Sequence, residues 1–259
     1  MSNHGHPLLE RTVDRLQVRV YPDRAAMGRA AGKAAAASIR NGLQKKARIR
    51  IVFAAAPSQN ECLATLAAEP DIDWSRITAF HMDEYIGLPE SAPQRFSAFL
   101  RAHLFDRVKP GVLHLIDSTA EPQAECARYG ALIREAPIDI VCLGIGENGH
   151  IAFNDPPVAD FEDPQTIKPV ELDDICRQQQ VNDGCFDGIG DVPTHALTLT
   201  IPTLMSGAEL HCIVPGPTKT AAITRTLSGE IDTACPSTVL RRHPNCVLYA
   251  DRDAYKELL

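Results

Sequence analysis

Two short segments concentrate the residues able to do chemistry. One is His81-Met82-Asp83-Glu84-Tyr85; the other runs from Gly144 to Pro157 and contains Gly144-Ile145-Gly146-Glu147-Asn148-Gly149-His150, with Asp155 five residues further on. Asp83 and Glu84 follow a short apolar run, Ile77–Phe80. Neighbouring residues of an extended chain point to opposite sides, so one carboxylate can face a cleft while the other ties down the loop. A histidine at a strand end changes charge near neutral pH and suits proton transfer. A carboxylate that accepts from one ring nitrogen fixes the tautomer and leaves the other nitrogen for a substrate. The two segments together offer a base and a second proton carrier on neighbouring loops.

Gly144 to Gly149 also fits G-x-G-x-x-G, the spacing of a dinucleotide loop. That loop should open a helix and lead to a second strand ending in an acid about 20 residues on. Here Pro156-Pro157 follow too soon for such a helix. The expected reading is a tight turn in which Gly146 and Gly149 let backbone approach a ligand while the turn presents His150. Two further turns suit an anion. Pro215-Gly216-Pro217-Thr218-Lys219 puts a lysine at the start of a helix, where free N–H groups add to its charge. Ala54-Ala55-Ala56-Pro57-Ser58 has N–H groups and a hydroxyl, with Ser58 a candidate N-cap for a helix over Gln59–Ala68.

These turns need a scaffold, and the apolar pattern supplies one. Strands are expected at 49–54, 77–80, 138–143, 197–201, 210–214 and 247–250. Helices are expected at 25–46, 59–68, 120–135 and 218–227. The run Ile138-Asp-Ile-Val-Cys-Leu143 is nearly all apolar, as in a strand covered on both faces. The alternation predicts an α/β fold with an open, doubly wound, mostly parallel sheet, Rossmann-like, as a single domain over residues 1–259. Ligands of such sheets bind outside the carboxyl ends of the strands, where all four turns lie. Residues 156–196, rich in Pro, Asp and Gln, are expected to form a lid or an excursion.

The chain has 259 residues, 44% hydrophobic and 23% charged, with a formal net charge of -7. That balance speaks against nucleic acid or an anionic membrane as the main partner. No apolar run reaches the roughly 18–20 residues that span a bilayer, and residues 1–10 lack a signal-peptide pattern, so the expected location is cytoplasmic. Eight scattered cysteines form no C-x-x-C pair, so neither a metal site nor a redox motif is expected and reduced thiols are.

Met82-Asp-Glu-Tyr-Ile-Gly-Leu88 and Gly144-Ile-Gly-Glu-Asn-Gly-His-Ile-Ala-Phe-Asn-Asp-Pro-Pro157 together resemble the glucosamine-6-phosphate deaminase/isomerase family, from about residue 20 onward. The resemblance implies an open α/β fold. It also implies conversion of glucosamine 6-phosphate to fructose 6-phosphate and ammonium, without metal or redox cofactor. It implies Asp83 as the base that moves a proton from C2 to C1, and His150 as the ring-opening group. Asp155 stands where the family usually has Glu, and Asn148 where some members have Asp. It implies phosphate binding by Lys219 and by the turn containing Ala55, Ala56 and Ser58, with Glu84, Gly146 and Gly149 as further substrate-binding positions.

The sequence also departs from the pattern. The phosphate turn is usually rich in Gly and Thr. A phosphate-binding arginine expected within 178–186 is absent, leaving Arg177 just before it and Gln178, Gln179 and Gln180 inside it. Of a basic pair that binds an activator in some members, Lys168 matches one and Thr166 replaces the other. A related amino sugar phosphate as substrate, a 6-phosphogluconolactonase and a non-catalytic sugar-phosphate sensor stay open at this point. So does the oligomeric state, a homo-oligomer included.

Overall fold

The computed structural model describes residues 6–258. Its eleven strands are β1 (Leu9–Val13), β2 (Leu16–Tyr21), β3 (Ile49–Phe53), β4 (Ile77–His81), β5 (Asp83–Tyr85), β6 (Val112–Leu113), β7 (Ile140–Leu143), β8 (Ile167–Glu171), β9 (His195–Leu199), β10 (Glu209–Val214) and β11 (Cys246–Asp251). Eight form one sheet in the order β1-β2-β11-β10-β7-β3-β4-β6, parallel except for the β1–β2 hairpin. The expected mostly parallel α/β sheet is present. No helix among the described residues is long and apolar enough to cross a membrane.

Side chains alternate between two cores because successive Cβ atoms leave a strand on opposite faces. Val141 and Leu143 of β7 pack with Ile223 and Leu227 of helix Thr220–Ser228 and with Tyr129 and Ile133 of helix Pro122–Arg134. Ile140 and Cys142 of the same strand pack on the other face with Ala35, Ile39 and Leu43 of helix Arg24–Lys45. Asp23 caps that long helix by accepting from the Ala26 N–H at 2.7 Å. Its alanine-lined inner face lets it lie close to the sheet and to helix Asn60–Ala68.

Strand order reverses between β3 and β7. The chain runs outward from β3 through β4 to β6, then returns to β7 and proceeds the other way through β10 to β11. The loops after β3 and β7 therefore diverge and open a crevice at the sheet's carboxyl edge.

Two local expectations give way, and a third region gains detail. Residues 197–201 are not a strand of the main sheet. β9 ends at Leu199 and joins β5 and β8 in a separate three-stranded antiparallel sheet, because Asp83–Tyr85 bend off β4 and need a partner for their backbone. Much of 156–196 is regular structure: it supplies β8, helix Asp174–Asn182 and the start of β9. Ser58 does not cap a helix. Pro57–Gln59 form a 3₁₀ turn with no side-chain cap, and the Ser58 hydroxyl instead accepts from Gln59 Nε2 at 3.1 Å.

Candidate active site

The crevice is a cleft lined by Ala54–Ala56 and Ser58, Met82 and Asp83, Phe96, Gly144–Gly146, His150, Ala152–Phe153, Gln179–Gln180 and Lys219. Four strand ends and one helix of the second sheet thus meet at one place.

Asp83 enters through β5. Pairing of Asp83 with Thr198 and of Tyr85 with Ala196 holds the segment extended, so Asp83 and Tyr85 share one side and Glu84 takes the other. Tyr85 is buried among Phe96, Phe153 and Phe186, and its hydroxyl donates to Gln180 Oε1 at 2.8 Å. That aromatic packing anchors the residue beside the catalytic candidate. The Asp83 carboxylate is 6% exposed and has no hydrogen-bond donor among the described residues. Burial, with the neighbouring Glu84 charge adding to it, pushes its pKa well above the usual carboxylate value. A desolvated carboxylate of this kind is a stronger base than an exposed one.

Glu84 does not line the cleft, which corrects its assignment as a substrate-binding residue. It is wholly buried on the far side, where Oε1 accepts from the Phe96 N–H (2.9 Å) and Oε2 from the Ser97 N–H (2.9 Å). These are free N–H groups at a helix start, which a carboxylate satisfies well. Arg95 stands 3.9 Å away. Burial raises the Glu84 pKa, and those hydrogen bonds pull it back. His81 is also structural: it is fully buried, its Nε2 accepts from the Ile116 N–H at 2.8 Å, and burial drives its pKa down to about 3.

His150 is presented by a closed turn. The Gly146 N–H donates to the His150 carbonyl (2.9 Å) and the Gly149 N–H to the Gly146 carbonyl (3.0 Å). A Cβ on Gly146 would stand 2.1 Å from the imidazole, so only glycine leaves room for the ring. Gly149 has φ +88°, a left-handed conformation that glycine adopts freely. Any Cβ there would meet Cys235 Sγ at 2.5 Å, so Gly149 faces the protein interior and not the cleft. Its role is to turn the chain, which corrects the expected substrate contact.

Asp155 and Asn148 lie one layer behind the ring. His150 Nδ1 is 2.9 Å from Asp155 Oδ1, off the line of a well-aligned hydrogen bond. Asn148 Nδ2 donates to the same oxygen (2.8 Å), while its own Oδ1 accepts from the His150 N–H (2.9 Å). Burial alone would raise the Asp155 pKa, but His150, Asn148 and the Cys176 thiol outweigh it, and the pKa is lowered. The pair holds Nδ1 and leaves Nε2 as the ring atom for the cleft.

Sequence gave no warning of the backbone at Ala152. This cleft residue sits at φ +51°, a left-handed conformation costing about 1–2 kcal/mol without glycine. Asn154 holds it there: its Nδ2 donates to the Ile151 and Leu199 carbonyls, both at 2.9 Å, pinning the turn to β9.

The remaining wall is the anion end. Lys219 is 4% exposed and among the described residues has no carboxylate partner within ion-pair distance. Burial lowers its pKa, against the pull of Asp183 and Glu147. Ala55, Ala56 and Ser58 line the same end. Arg177 does not reach it. Its guanidinium pairs with Asp174 (3.2 Å) and donates to the carbonyls of Ile189 (2.7 Å) and Val192 (3.1 Å). Gln179 and Gln180 occupy the wall instead; Gln179 Oε1 accepts from the Glu147 N–H at 2.8 Å and so braces the glycine turn. Lys168, the remnant of the expected activator pair, is bound to Asp163 at 2.8 Å, and Thr166 accepts from Arg134 at 2.8 Å.

Comparison with known proteins agrees with this arrangement. Residues 22–248 match the family model described as glucosamine-6-phosphate isomerases/6-phosphogluconolactonase. The chain is 38% identical over 184 residues to the glucosamine-6-phosphate deaminase of Bacillus cytotoxicus, covering 71% of this chain and 68% of the relative, and 37% identical over the same span to that of Bacillus cereus. Among solved structures, a monomeric glucosamine-6-phosphate deaminase superposes with a TM-score of 0.84 at 26% identity, covering 92% of this chain and 98% of the other. A 6-phosphogluconolactonase from Thermotoga maritima shares the fold, with a TM-score of 0.75 at 20% identity over 93% of this chain and all of the other. A crevice at the strand-order reversal, an aspartate and a histidine on its two sides, and a family match over most of the length lead to one statement: this chain belongs to the glucosamine-6-phosphate isomerase/6-phosphogluconolactonase family.

Proposed function

We propose that the protein is a glucosamine-6-phosphate deaminase, releasing ammonium and fructose 6-phosphate. The observation that carries the reading is that the desolvated Asp83 carboxylate and the Asp155-held His150 line one cleft with the unpaired Lys219. The curated relatives bear the same activity in their names.

The chemistry divides between the two groups. His150 moves a proton from the O1 hydroxyl to the ring oxygen, which opens the sugar. Asp83 takes the C2 proton and returns it to C1, while O1 gains a proton and the C2 nitrogen gives one up, leaving a C2 imine that water hydrolyses to the ketone and ammonium. Each proton is handed back, so one buried base serves both carbon centres. The Asp155 charge favours the positively charged state of the ring while it holds the proton.

Lys219 binds the phosphate, assisted by the backbone N–H groups of turn Ala55–Ser58. A buried cation without a carboxylate is costly, and an anion offsets that cost. Gln180 occupies this wall where the family's arginine is missing, so phosphate recognition rests on a single cation. A charged sugar phosphate is retained by the membrane of the cell that makes it, which fits a cytoplasmic enzyme. The chain acts as a single domain, with helix Asp174–Asn182 contributing a wall of the site.

The test is ammonium release from glucosamine 6-phosphate alongside hydrolysis of 6-phosphogluconolactone. Ammonium with stoichiometric fructose 6-phosphate is expected. Lactone hydrolysis without ammonium, or binding without either product, would overturn the proposal.

A further inference from the structure

Cys176 completes a cluster with His150 and Asp155, and its thiol carries none of the proton transfers of deamination. It lies on helix Asp174–Asn182, fully buried, with its thiol against the Asp155 carboxylate. One ligand-capable atom each from His150, Asp155 and Cys176 lies within 4.8 Å of the others. Two of the polar atoms here lack a well-formed hydrogen bond: Asp155 Oδ2, on a residue 1% exposed, and His150 Nδ1, on a residue 8% exposed. Buried polar atoms are nearly always satisfied, and here Nδ1 has only its off-line contact with Oδ1 while the carboxylate has the weak Cys176 S–H as its one donor besides His150 and Asn148. Nitrogen, carboxylate oxygen and sulfur are the donors a zinc-class cation takes at about 2.0–2.3 Å. Tetrahedral geometry then spaces the donors about 3.4–3.7 Å apart. The widest separation, within 4.8 Å, has to close by about one ångström, while Nδ1 and Asp155 Oδ1, now 2.9 Å apart, part slightly.

We propose that a zinc-class divalent cation binds His150 Nδ1, an Asp155 oxygen and the Cys176 sulfur, and that this binding switches the enzyme off. The cation sheds water ligands as the three donors enter, and the thiol proton passes to solvent. A fourth position stays open for water. The metal takes the nitrogen that Asp155 otherwise steadies, so the ring loses the tautomer control that ring opening requires. Binding itself does not depend on the reaction assigned to the cleft; the inhibitory consequence does.

Hard oxygen-seeking cations are excluded by the sulfur and nitrogen donors. Deprotonation of the thiol makes occupancy increase with pH. Among the described residues this is the one group of three such donors close enough to share an ion. It draws on a strand-end turn and a helix of the second sheet, so it forms only in the folded protein.

The experiment is a titration of the chelator-treated full-length protein with Co²⁺, read by the thiolate-to-cobalt charge-transfer band and the visible bands of tetrahedral cobalt. One equivalent should bind, and Zn²⁺ should displace it. Cys176→Ala should weaken binding by about a hundredfold or more, since even an outer partner of a ligand is worth roughly 10–100-fold. Cys235→Ala should leave the band unchanged. A second variant, Cys176→Ser, keeps the volume and the polar atom in case the alanine variant is poorly folded. In parallel, Zn²⁺ should lower ammonium release by the wild type at least about tenfold, reversed by chelator, whereas the turnover of Cys176→Ala, whatever its own level, should be the same with and without Zn²⁺. Absence of the charge-transfer band, its persistence in both Cys176 variants, or activation by Zn²⁺ would each overturn the proposal. If the protein released no ammonium at all, the cobalt spectrum would still decide whether the cation site exists.

Discussion

The two ends of the cleft are built differently. At the proton-transfer end the support is closed behind the working groups: Asn148 and Asp155 brace His150, and Glu84 clamps the loop after Asp83 by holding the Phe96 and Ser97 N–H groups. At the anion end the groups are few and open. Lys219 has no partner among the described residues, and Gln180 is engaged by Tyr85. The contrast follows from what each end must do. Proton transfer needs rotamers locked in advance, whereas an anion site needs unsatisfied charge for the ligand to satisfy.

The contrast is broken most sharply at Asp83. Asp83→Asn should lower kcat by about 10³–10⁴-fold with little change in KM. It should also raise Tm by about 2–4 °C near neutral pH. The folded pKa of Asp83 is raised, so its ionised form is disfavoured in the fold; removing it gains nothing below about pH 4 and more as pH rises through the folded value. Substantial turnover by this variant would dismantle the proton-transfer assignment.

Asp155→Asn comes next, with an expected loss of about 10²-fold in kcat. The loss should be greater on the ring form than on open-chain substrate. Asp155 has a lowered pKa, so its stabilising contribution is present above the unfolded value and is lost as pH falls through the folded one. The variant should therefore show a weaker loss of Tm on acidification than the wild type. Equal losses on both substrate forms would remove the ring-opening role.

Lys219→Met should raise KM about 10–100-fold while changing kcat far less, because a charged hydrogen bond contributes about 1.5–3 kcal/mol. A loss confined to kcat would place the phosphate elsewhere. Activity of the wild type should fall on acidification at a pH well above that of an ordinary aspartate, as Asp83 takes up its proton. An activity profile flat down to pH 4 would contradict this. The smallest expected effect is that of Gln180→Arg, a several-fold drop in KM from adding a second cation. An unchanged KM would show that the single-cation anion end is already complete.

Much of this site was legible because its chemistry is local. Gly146, Asn148, His150 and Asp155 lie within ten residues, and the turn they form is dictated by a glycine too close to the ring for any Cβ. The apolar runs that became β3, β7 and β10 were equally clear, since strands covered on both faces read as unbroken apolar sequence. The assignment of Glu84 failed because sequence shows that two adjacent carboxylates diverge but not which one turns toward the cleft. Pairing of β5 with β9 decides that, through partners far apart in the sequence, Asp83 with Thr198 and Glu84 with Leu197.

Sequence by itself determined that the strand-end turns carry an aspartate, a histidine with its carboxylate, and a lysine, and that a mostly parallel sheet bears them. Spacing and periodicity encode such features directly. Tertiary structure alone decided that Gln179 and Gln180 come to the same cleft wall as His150, that Cys176 is buried against Asp155 behind it, and that Arg177 and Lys168 are consumed by pairs of their own. The reason is that a small second sheet folds residues 167–199 back over the strand ends, and no local pattern records where a returning chain will dock.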